Sequence, residues 1–569
     1  MEAEETAPFR IDSTVRALRC ALRGEVEHEV ESVQTNSGKR SCCDREKLWF
    51  KESSVKNLRN RDFLVPNTVL ATLYPDSQVP PDILSRIQSL RGDGVLPVAG
   101  CDVTAEGLRV TVDRCAAFRT VLSAENTYLR PVAQRQEHVL INCPALHAKS
   151  APLNPDSLAL GQLRAVLIAD HLRALLMRQG YTVSFCPTLP VESDIIQFLR
   201  TLCIDWPTTS ASWTSEEREE KLKNTLKNST YQEKDEESGK RQNKEEGMDE
   251  CDAGRTEEIR INLKQVMEDA QLQGFDPTLG ICTVHREALC HLVQLDRAAE
   301  EYPASTLTVL HVTSCQDEFR QQQTVMLWRA SGAMATQRVV VCGPVKTPGT
   351  QISSAQYLQL RRAQMKEASE MKYGDQVEGQ TWDDIIRIMT CATVRFDLLS
   401  TAHTSPVTLD TQREGGVSTK GPRGGVFVMY NCARLHTLFS SYEKAVEQGV
   451  YPEIPAATEL AFSDLKEEGE WLLLFNYIIP FAELLDQSGH ILDLEGGGAR
   501  VNLRTEQVCR FLVSLSKDFS SYYNRVHVLG EPLPHLFNQM FCRLLLLKAL
   551  RELYHSALDS LNLPPIPQL

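Results

Sequence analysis

A strand, a long helix and a second strand follow one another between residues 138 and 186, and this order constrains the fold more than any other feature. The segment HVLINCPAL has the apolar density of a buried parallel strand. An amphipathic helix is predicted from about Leu160 to Gln179; Gly180 supplies its C-cap, and YTVSFC resumes as a strand. Two more buried strands are predicted at STLTVLHVT and QRVVVCGPV. Because parallel strands joined by a helix form a βαβ unit, the sequence predicts a Rossmann-like sheet.

The C-terminal part of the chain has apolar residues three or four positions apart. In LRTEQVCRFLVSLSKDFSSYYNRVHVLG and LPHLFNQMFCRLLLLKALRELYHSALDSLNL, this spacing predicts helices that each bury one stripe. The stripe of the first helix consists of Val508, Phe511, Leu512, Leu515 and Phe519. Together with the buried helix expected at WLLLFNYIIPFAELL, these segments predict an antiparallel helix bundle.

These patterns divide the chain into an α/β part and an all-α part. Residues 1–125 are predicted to form a small α/β domain, in which PDILSRIQSL is a helix and NTVLATLY is either a strand or a helix. Residues 126–370 hold the Rossmann-like domain, 371–424 connect it to the next domain, and 425–569 form the bundle. Within the second domain, an acidic insert at 214–258 is predicted to be disordered because it offers few large apolar side chains.

The charge balance limits where a polyanion could bind. The chain has a net charge of −14, and residues 216–258 carry 15 acidic and 9 basic residues, so the remainder is still at about −8 (−14 + 6). From Gly425 onward, the chain has 11 basic and 17 acidic residues. Any RNA site on the bundle must therefore be local. Residues 39–61 hold eight Lys or Arg, together with Trp49 and Phe50; this mixture could bind nucleic acid, although a solvated loop or helix face explains it equally simply.

Cysteine usage and hydropathy exclude several other classes of protein. The 17 cysteines have no paired spacing, which suits reduced thiols in the cytosol or nucleus. The cluster Cys282, His285, Cys290 and His291 lacks a second ligand pair, so we expect buried helix residues rather than a metal site. No apolar run is long enough to cross a membrane, and the acidic start has no signal-peptide pattern.

The βαβ unit resembles that of the class I arginyl-tRNA synthetases. In ALGQLRAVLIADHLRALLMRQGYTV, the family pattern is kept at Gly161, Leu163, Arg164, Gly180 and Tyr181. The family's two signature histidines, which donate to the ATP phosphates, are replaced here by Ala159 and Gln162. Loss of one such donor costs on the order of 10²–10³ in rate. The second signature, a Lys-Met-Ser-Lys-type loop, is reduced to Lys346 and Gly349. We therefore expect no aminoacylation and no bound cofactor.

The C-terminal bundle resembles the DALR anticodon-binding domain of the same family. This resemblance rests on KALR, on SSYYNRVHVL and on Tyr430, Ala433 and Arg434 in YNCARLHTLF. It implies that RNA is bound by aromatic rings, guanidinium groups and lysines. The candidate contacts are Tyr522, Tyr523, Asn524, Arg525, Arg504, Arg510, Lys517, Lys548 and Arg551. An alternative stays open, because Tyr522 and Tyr523 could instead close the bundle core.

Non-catalytic synthetase-like proteins with a DALR domain are the most similar group, and this resemblance implies a function. Such a protein binds a subset of arginine tRNAs and presents them to a methyltransferase-like partner, which makes 3-methylcytidine in the anticodon loop. The chain shows no glycine-rich loop for S-adenosylmethionine after a strand, so it is not expected to methylate RNA itself. A cytoplasmic location is expected. The alternatives are a protein scaffold without RNA and a residual arginyl-tRNA synthetase.

Overall fold

A computed structural model gives the structure of the chain. It describes residues 8–25, 48–123, 135–147, 153–210, 216–233, 258–349, 351–374, 379–411, 424–488 and 499–567. The helices in these ranges are α1 (Ile11–Arg23), α2 (Val55–Leu58), α3 (Asn67–Leu73), α4 (Pro81–Gln88), α5 (Arg114–Ser123), α6 (Leu160–Arg178), α7 (Asp194–Thr201), α8 (Glu216–Lys227), α9 (Leu263–Asp269), α10 (Arg286–Ala299), α11 (Glu318–Ala330), α12 (Ser354–Tyr373), α13 (Gln380–Leu399), α14 (Gly425–Glu447), α15 (Glu468–Leu473), α16 (Phe481–Ser488), α17 (Glu506–Tyr523) and α18 (Pro534–Asp559). The strands are β1 (Phe50–Lys51), β2 (Phe63–Pro66), β3 (Val98–Thr104), β4 (Gly107–Val112), β5 (His138–Asn142), β6 (Thr182–Cys186), β7 (Leu189–Pro190), β8 (Thr208–Thr209), β9 (Arg260–Asn262), β10 (Ile281–Thr283), β11 (Leu307–Ser314), β12 (Thr336–Cys342), β13 (Val345–Lys346) and β14 (Val407–Thr408).

A parallel sheet forms the centre of the α/β part, as the sequence predicts. Its strand order is β12-β11-β5-β6, with His138 of β5 paired to Thr182 of β6 and to Leu307 of β11. Helix α6 packs on one face, and α10 and α11 cover the other. The central strand β11 has no exposed position and six consecutive buried residues from Val309 to Ser314, as expected of a strand covered on both faces.

Arg164 ties this sheet domain to the helical part. Its guanidinium group lies fully buried and donates to five backbone carbonyl oxygens. These belong to Gly343, Leu398, Thr401, Ala402 and Ser405, at 2.7–3.2 Å. A planar fork with five N–H donors suits such a set of acceptors, and a lysine could not serve them all.

The N-terminal part is an antiparallel sheet, of order β1-β2-β4-β3, with helices around it. NTVLATLY, which the sequence left open, is largely helical. The domain docks on the bundle: the indole of Trp471 donates to the buried carboxylate of Asp62 at 2.7 Å, and the rings of Phe63 and Phe475 meet edge to face. Lys51 enters the same contact, where burial lowers its pKa to about 7.

The predicted helix bundle is confirmed by α14 to α18. Helix α13, which lies in the predicted connecting segment, packs against α14, and α12 runs across the predicted boundary at residue 370. The buried segment near Trp471 continues through a π-helical turn at Leu474–Ile478 into α16. Among the described helices, none is long and apolar enough to span a bilayer.

The prediction of disorder for the acidic insert is wrong for its first part. Residues 216–227 form α8, and Leu222 and Leu226 are buried in an apolar cluster that lies on one side of the sheet. Arg218 also forms an ion pair with Glu300 at 2.6 Å. Two apolar residues at i and i+4 are enough to hold this charged helix against α10, because they share one face. The rest of the insert, 234–257, lies outside the described residues.

The basic segment at 39–61, described from Leu48 onward, is divided: Phe50, Lys56 and Arg59 are exposed, whereas other members are used in packing, so its role in binding nucleic acid stays a prediction. Trp49 is buried, Lys51 is enclosed by the bundle, and Arg61 is paired with Glu52 at 2.6 Å and with Glu106. These residues hold the domain together. Residues 39–47 lie outside the described part.

The Cys–His cluster is spread over β10 and α10. His291 is buried, with its ring 4.6 Å from that of His147, while Cys282 and Cys290 are half-buried. Over the described ranges, no group of three or more Cys, His, Asp or Glu residues could hold a metal ion.

Candidate nucleic-acid interface

The α/β domain has a cleft at the carboxyl ends of β11 and β12, where this fold binds ligands. Its volume is about 300 Å³, and it is lined by the first turn of α6, by Ser314 to Gln316 and by the segments that flank β13. Among the lining residues that the structure describes, none is Lys, Arg or His, and Asp156 is charged. Within the described residues, the lining therefore offers no cation to a triphosphate.

Ala159 and Gln162 are the positions at which the sequence comparison expects the synthetase histidines. Both take part in hydrogen bonds within the protein. The Oε1 of Gln162 accepts from the backbone N–H of Ala159 at 3.2 Å, and its amide Nε2 donates to Asp317 Oδ2 at 3.0 Å. The same carboxylate accepts from the Ser314 hydroxyl at 2.7 Å. The donors beside Gly161 are thus used within the protein, and a carboxylate stands next to them.

Lys346 does not contribute to this cleft. Val345 and Thr347 line the cleft, whereas Lys346 between them is exposed and absent from the lining. Successive side chains of a strand point to opposite sides, which explains its direction. Lys346, predicted as what remains of the synthetase loop, therefore lies outside the lining of this cleft.

A row of cations and aromatic rings crosses the surface from α12 over α14 to α17. The ammonium of Lys372 lies 5.2 Å from the ring centre of Tyr430. The guanidinium of Arg434 lies 4.8 Å from that ring and 5.1 Å from the ring of Tyr523. It also donates to the hydroxyl groups of Tyr430 and Ser520, at 3.1 and 3.4 Å. We call Lys372, Tyr430, Arg434 and Tyr523 the cation–aromatic row.

The geometry of the row suits stacked bases and phosphates. Cations within about 6 Å of an aromatic ring centre are held over its face. Tyr430 is 36% exposed, so its ring is open to solvent at the edge of the row. Burial raises the pKa of Tyr523, whose hydroxyl therefore stays protonated at neutral pH. The row presents a positive, polarisable surface on a bundle that is acidic as a whole.

A small cleft lies beside Tyr523. It measures about 190 Å³ and lies between α14, through Thr437 and Ser441, and the segment Val526–Leu529 after α17. Leu438 and Val528 are buried at its base. Because ligand pockets for whole small molecules start at roughly 300 Å³, this cleft fits a single flat ring rather than a nucleotide.

Tyr522, one of the predicted RNA contacts, is instead a core residue of the bundle. It is 1% exposed, and its hydroxyl donates to Glu470 at 3.4 Å in the bundle interior. A side chain at Gly469 would meet its ring at 2.8 Å, so the packing around Tyr522 is tight. The alternative that one tyrosine closes the core is thus confirmed for Tyr522, while Tyr523 faces the row.

The cations predicted on α17 lie on one exposed stripe. Arg510, Lys517 and Asn524 follow each other at seven-residue spacing, and all are exposed, as is Arg525. The side chain of Arg510 donates to the carbonyl of Ser400 at 3.1 Å, and that of Arg525 donates to the carbonyl of Ser521 at 3.1 Å. Arg504 is exposed just before α17. The stripe ends next to Tyr523.

Lys548 and Arg551 are not brought to the row by any observed contact. Lys548 is exposed on α18, and the guanidinium of Arg551 lies 4.2 Å from the ring centre of Phe439 on α14. Phe439 is five residues after Arg434, which places it about 140° around the helix. Arg551 thus packs between α14 and α18, on a different side of α14 from the row.

Three members of the row were not predicted as RNA contacts. In the sequence, Tyr430 and Arg434 match the family pattern. Their i, i+4 spacing also places them on one face of a helix, and this signal could have predicted a shared surface. Lys372 belongs to another helix, and no sequence pattern links it to Tyr430. Its contribution depends on how α12 packs.

Comparison with known proteins agrees with this geometry. Residues 9–128 match the DALR N-terminal domain, and residues 428–569 match the DALR anticodon binding domain. The chain is 73% identical to DALR anticodon-binding domain-containing protein 3 of Danio rerio over 566 residues, which covers 100% of both chains. It is 40% identical to the protein of that name from Mus musculus, over 92% of this chain and 96% of the relative.

Solved structures give the same fold. The arginyl-tRNA synthetase of Thermus thermophilus aligns with a TM-score of 0.58 and 14% identity, covering 98% of this chain and 100% of that one. The Plasmodium falciparum enzyme aligns with a TM-score of 0.60 and 11% identity, over 99% and 100% of the two chains. At such identities the likeness establishes the fold alone. The chain belongs to the family of DALR anticodon-binding domain-containing protein 3, built on the fold of an arginyl-tRNA synthetase.

Proposed function

We propose that this protein is a non-catalytic tRNA-binding protein. It recognises a subset of arginine tRNAs through its DALR bundle and presents them to a methyltransferase-like tRNA 3-methylcytidine methyltransferase, which modifies the anticodon loop. The observation that carries the proposal is the cation–aromatic row, which lies beside a base-sized cleft on the DALR bundle.

In this proposal, the cation–aromatic row binds the bases of the RNA, and the cations of the exposed stripe on α17 bind its phosphates. Single-stranded loops are recognised by stacking their splayed bases on aromatic and guanidinium planes. Tyr430, Arg434 and Tyr523 offer such planes, and the cleft next to Tyr523 takes one base. Lys372 in the row and the exposed cations Lys517 and Arg525 on and after α17 would contact phosphates. Each stacked base contributes about 1–3 kcal/mol.

Absence of aminoacylation is the second part of the proposal. Adenylate formation needs donors that stabilise the charge on departing pyrophosphate. Next to the lining of the α/β cleft, the Gln162 amide donates to Asp317 instead, and Lys346 is absent from the lining. A carboxylate at this position repels a triphosphate, so the domain serves as a scaffold for the bundle.

Methylation requires a partner in this proposal. The sequence has no glycine-rich loop of the type that holds S-adenosylmethionine, so the methyl donor would be bound by the second protein. The specificity for arginine tRNAs would come from this chain and the chemistry from its partner. The complex would act in the cytoplasm, where fractionation should find both proteins together.

A binding titration tests the RNA-binding step. Arginine tRNAs should bind the full chain more tightly than tRNAs for other amino acids, and a double variant Tyr523→Ala/Arg525→Ala should bind them roughly 10–100-fold more weakly. Lys264→Ala is the matched control, because Lys264 is an exposed cation on α9. Unchanged affinity in the double variant would remove this surface from the site. Equal binding of all tRNAs would refute the specificity for arginine tRNAs, and no binding of any tRNA would favour a scaffold without RNA.

A cell-based experiment tests the presentation step. Replacing the endogenous protein by the same double variant should lower 3-methylcytidine in arginine tRNAs, as measured by nucleoside mass spectrometry, while the Lys264→Ala protein restores it. Co-purification should recover a methyltransferase with both proteins. Normal 3-methylcytidine in cells without this protein would refute the presentation step but leave tRNA binding to be judged by the titration.

A further inference from the structure

Two cysteines from distant parts of the chain meet at the junction between the α/β domain and α13. Cys203 follows α7, and Cys391 lies in the middle of α13; their Sγ atoms are 3.7 Å apart. Cys391 is buried and donates its S–H to the carbonyl oxygen of Thr201 at 2.8 Å, while Cys203 is partly exposed. Among the described cysteines, this pair has the only recorded sulfur–sulfur contact.

The backbone at Cys203 is unusual. Its φ is +58°, in the left-handed region, directly after the end of α7. Glycine is the usual residue at this position after a helix, because other side chains cost energy there. A cysteine kept in this conformation places its sulfur against α13. Strained positions of this kind occur often at functional sites.

The charges around the pair favour a thiolate at Cys203. The guanidinium of Arg387 donates to Cys203 Sγ at 3.2 Å, and Arg395, paired with Asp170 at 2.7 Å, donates to the carbonyls of Leu202 and Cys203. The contact with Cys391 and these two arginines lower the pKa of Cys203 to about 6, despite its partial burial. Asp384, 3.7 Å from Arg387, is the acidic group nearest to that arginine.

We propose that Cys203 and Cys391 form a dithiol site that hydroperoxides oxidise to a disulfide. The Cys203 thiolate attacks one oxygen of hydrogen peroxide: an S–O bond forms, the O–O bond breaks, and hydroxide leaves and becomes water with a proton from solvent. Cys203 is then a sulfenic acid, oxidised by two electrons. Cys391 attacks this sulfur: the S–S bond forms, the S–O bond breaks, and the departing hydroxide takes the thiol proton of Cys391. Two thiols and one peroxide give one disulfide and two waters.

Other cysteines of the chain lack one part or another of this arrangement. Burial raises the pKa of Cys342 and of Cys432 to about 12, so they remain thiols at neutral pH. Cys115 is exposed, and none of the described cysteines lies in recorded contact with it. It can be oxidised to a sulfenic acid, and over the described ranges no cysteine is bonded to it that could close a disulfide. Cys115 is therefore the internal comparison for Cys203.

The product would link two structural parts. A Cys203–Cys391 bond joins the end of α7 in the α/β domain to α13, which packs against the bundle helix α14. It also releases Arg387 from the sulfur. We expect the oxidised protein to unfold at a higher temperature than the reduced protein, because the crosslink restricts the unfolded chain.

Peroxide treatment of the full-length protein, followed by non-reducing digestion and mass spectrometry, tests the proposal. The expected product is a Cys203–Cys391 linked peptide that lacks two hydrogens. Cys391→Ser should instead leave a Cys203 sulfenic acid that dimedone traps, and Cys115→Ser should change nothing. At pH 7, Cys203 should react roughly three- to fivefold faster than Cys115, since its larger thiolate fraction is partly offset by lower nucleophilicity.

The pH profile separates an activated thiol from a merely buried pair. The oxidation rate of Cys203 should level off above about pH 7, whereas in Arg387→Gln it should keep rising through pH 8. The proposal is overturned if Cys115 is oxidised and no Cys203–Cys391 peptide forms in the wild-type chain, or if both profiles coincide. Should a variant fail to fold, the wild-type peptide map decides alone.

Discussion

The cleft of the α/β domain and the cation–aromatic row of the bundle lie on one fold, that of the arginyl-tRNA synthetases, and they differ in the charges that line them. The cleft keeps its position at the ends of β11 and β12 but is lined by no described Lys, Arg or His. The row keeps cations and rings within 5.2 Å of each other on a surface open to solvent. A fold can therefore lose the charges of one site while its packing still supports another.

Arg164 shows why the packing survives. The arginine of α6 donates to five carbonyl oxygens: that of Gly343 lies after β12 in the α/β domain, and the other four lie at the end of α13 or just after it. A residue with this role is needed for the position of the bundle, whatever happens to the cleft. The packing at the junction and the chemistry of the cleft can change separately, because they depend on different side chains of α6.

The largest effect is expected at Arg164. Arg164→Met should lower the free energy of unfolding by on the order of 4 kcal/mol, because several buried carbonyls lose their donor. Urea unfolding measures this, with Arg173→Met as a control, since Arg173 on the same helix makes one long hydrogen bond to a carbonyl, at 3.5 Å, and lies 5.4 Å from the ring centre of Phe185. Equal losses in both variants would show that Arg164 does not organise the junction.

The next effect compares the two sites directly. Arg434→Gln should weaken binding of arginine tRNA roughly tenfold, because the planar cation between two rings is lost. Lys346→Gln should leave affinity unchanged, since that lysine stands outside the row. Fluorescence titration with one labelled tRNA measures both variants. The contrast between row and cleft would fail if Lys346→Gln had the larger effect.

Salt dependence gives a smaller, graded effect. With two to five phosphate contacts from the row and the stripe, the logarithm of the binding constant should fall with a slope of roughly −1.4 to −3.5 against the logarithm of salt concentration. Affinity would then drop about tenfold to a hundredfold between 50 and 200 mM salt. Binding titrations at four salt concentrations give this slope. A much steeper slope would place a second basic surface elsewhere on the chain.

The smallest effect is expected at the cleft itself. Millimolar ATP with magnesium should leave the unfolding temperature unchanged, because a ligand stabilises only the state that binds it. Differential scanning fluorimetry measures this shift, with arginine tRNA as the positive control. A reproducible rise with ATP would contradict the absence of a phosphate site.

The sequence predicted the architecture from periodicity, whereas the absence of aminoacylation, expected from Ala159 and Gln162, stays a prediction. It also contained the answer for Tyr522, which extends the stripe Leu515 and Phe519 by three residues and so belongs to the buried face of α17. Tyr523, one position further, points about 100° away. The helical period could have separated these neighbours, but the family pattern treated them as a pair.

Other features depended on long-range packing. Helix α8 carries two buried leucines in a run of charges, and that signal is too weak to outweigh composition. Lys372 reaches Tyr430 only because α12 and α14 are held side by side through α13. Cys203 and Cys391 are 188 positions apart in the chain. Sequence periodicity relates residues within one helix or strand, whereas these contacts join separate elements.

The joint between Asp62 and Trp471 has a practical consequence for anyone who divides this protein. A fragment that starts at α14 would leave the Trp471 indole and the Phe475 ring uncovered, and the N-terminal piece would retain a carboxylate without its indole donor. Such truncations would tend to self-associate, and their poor RNA capture would be mistaken for a missing contact. Point substitutions in the intact chain test the RNA contacts without exposing this joint.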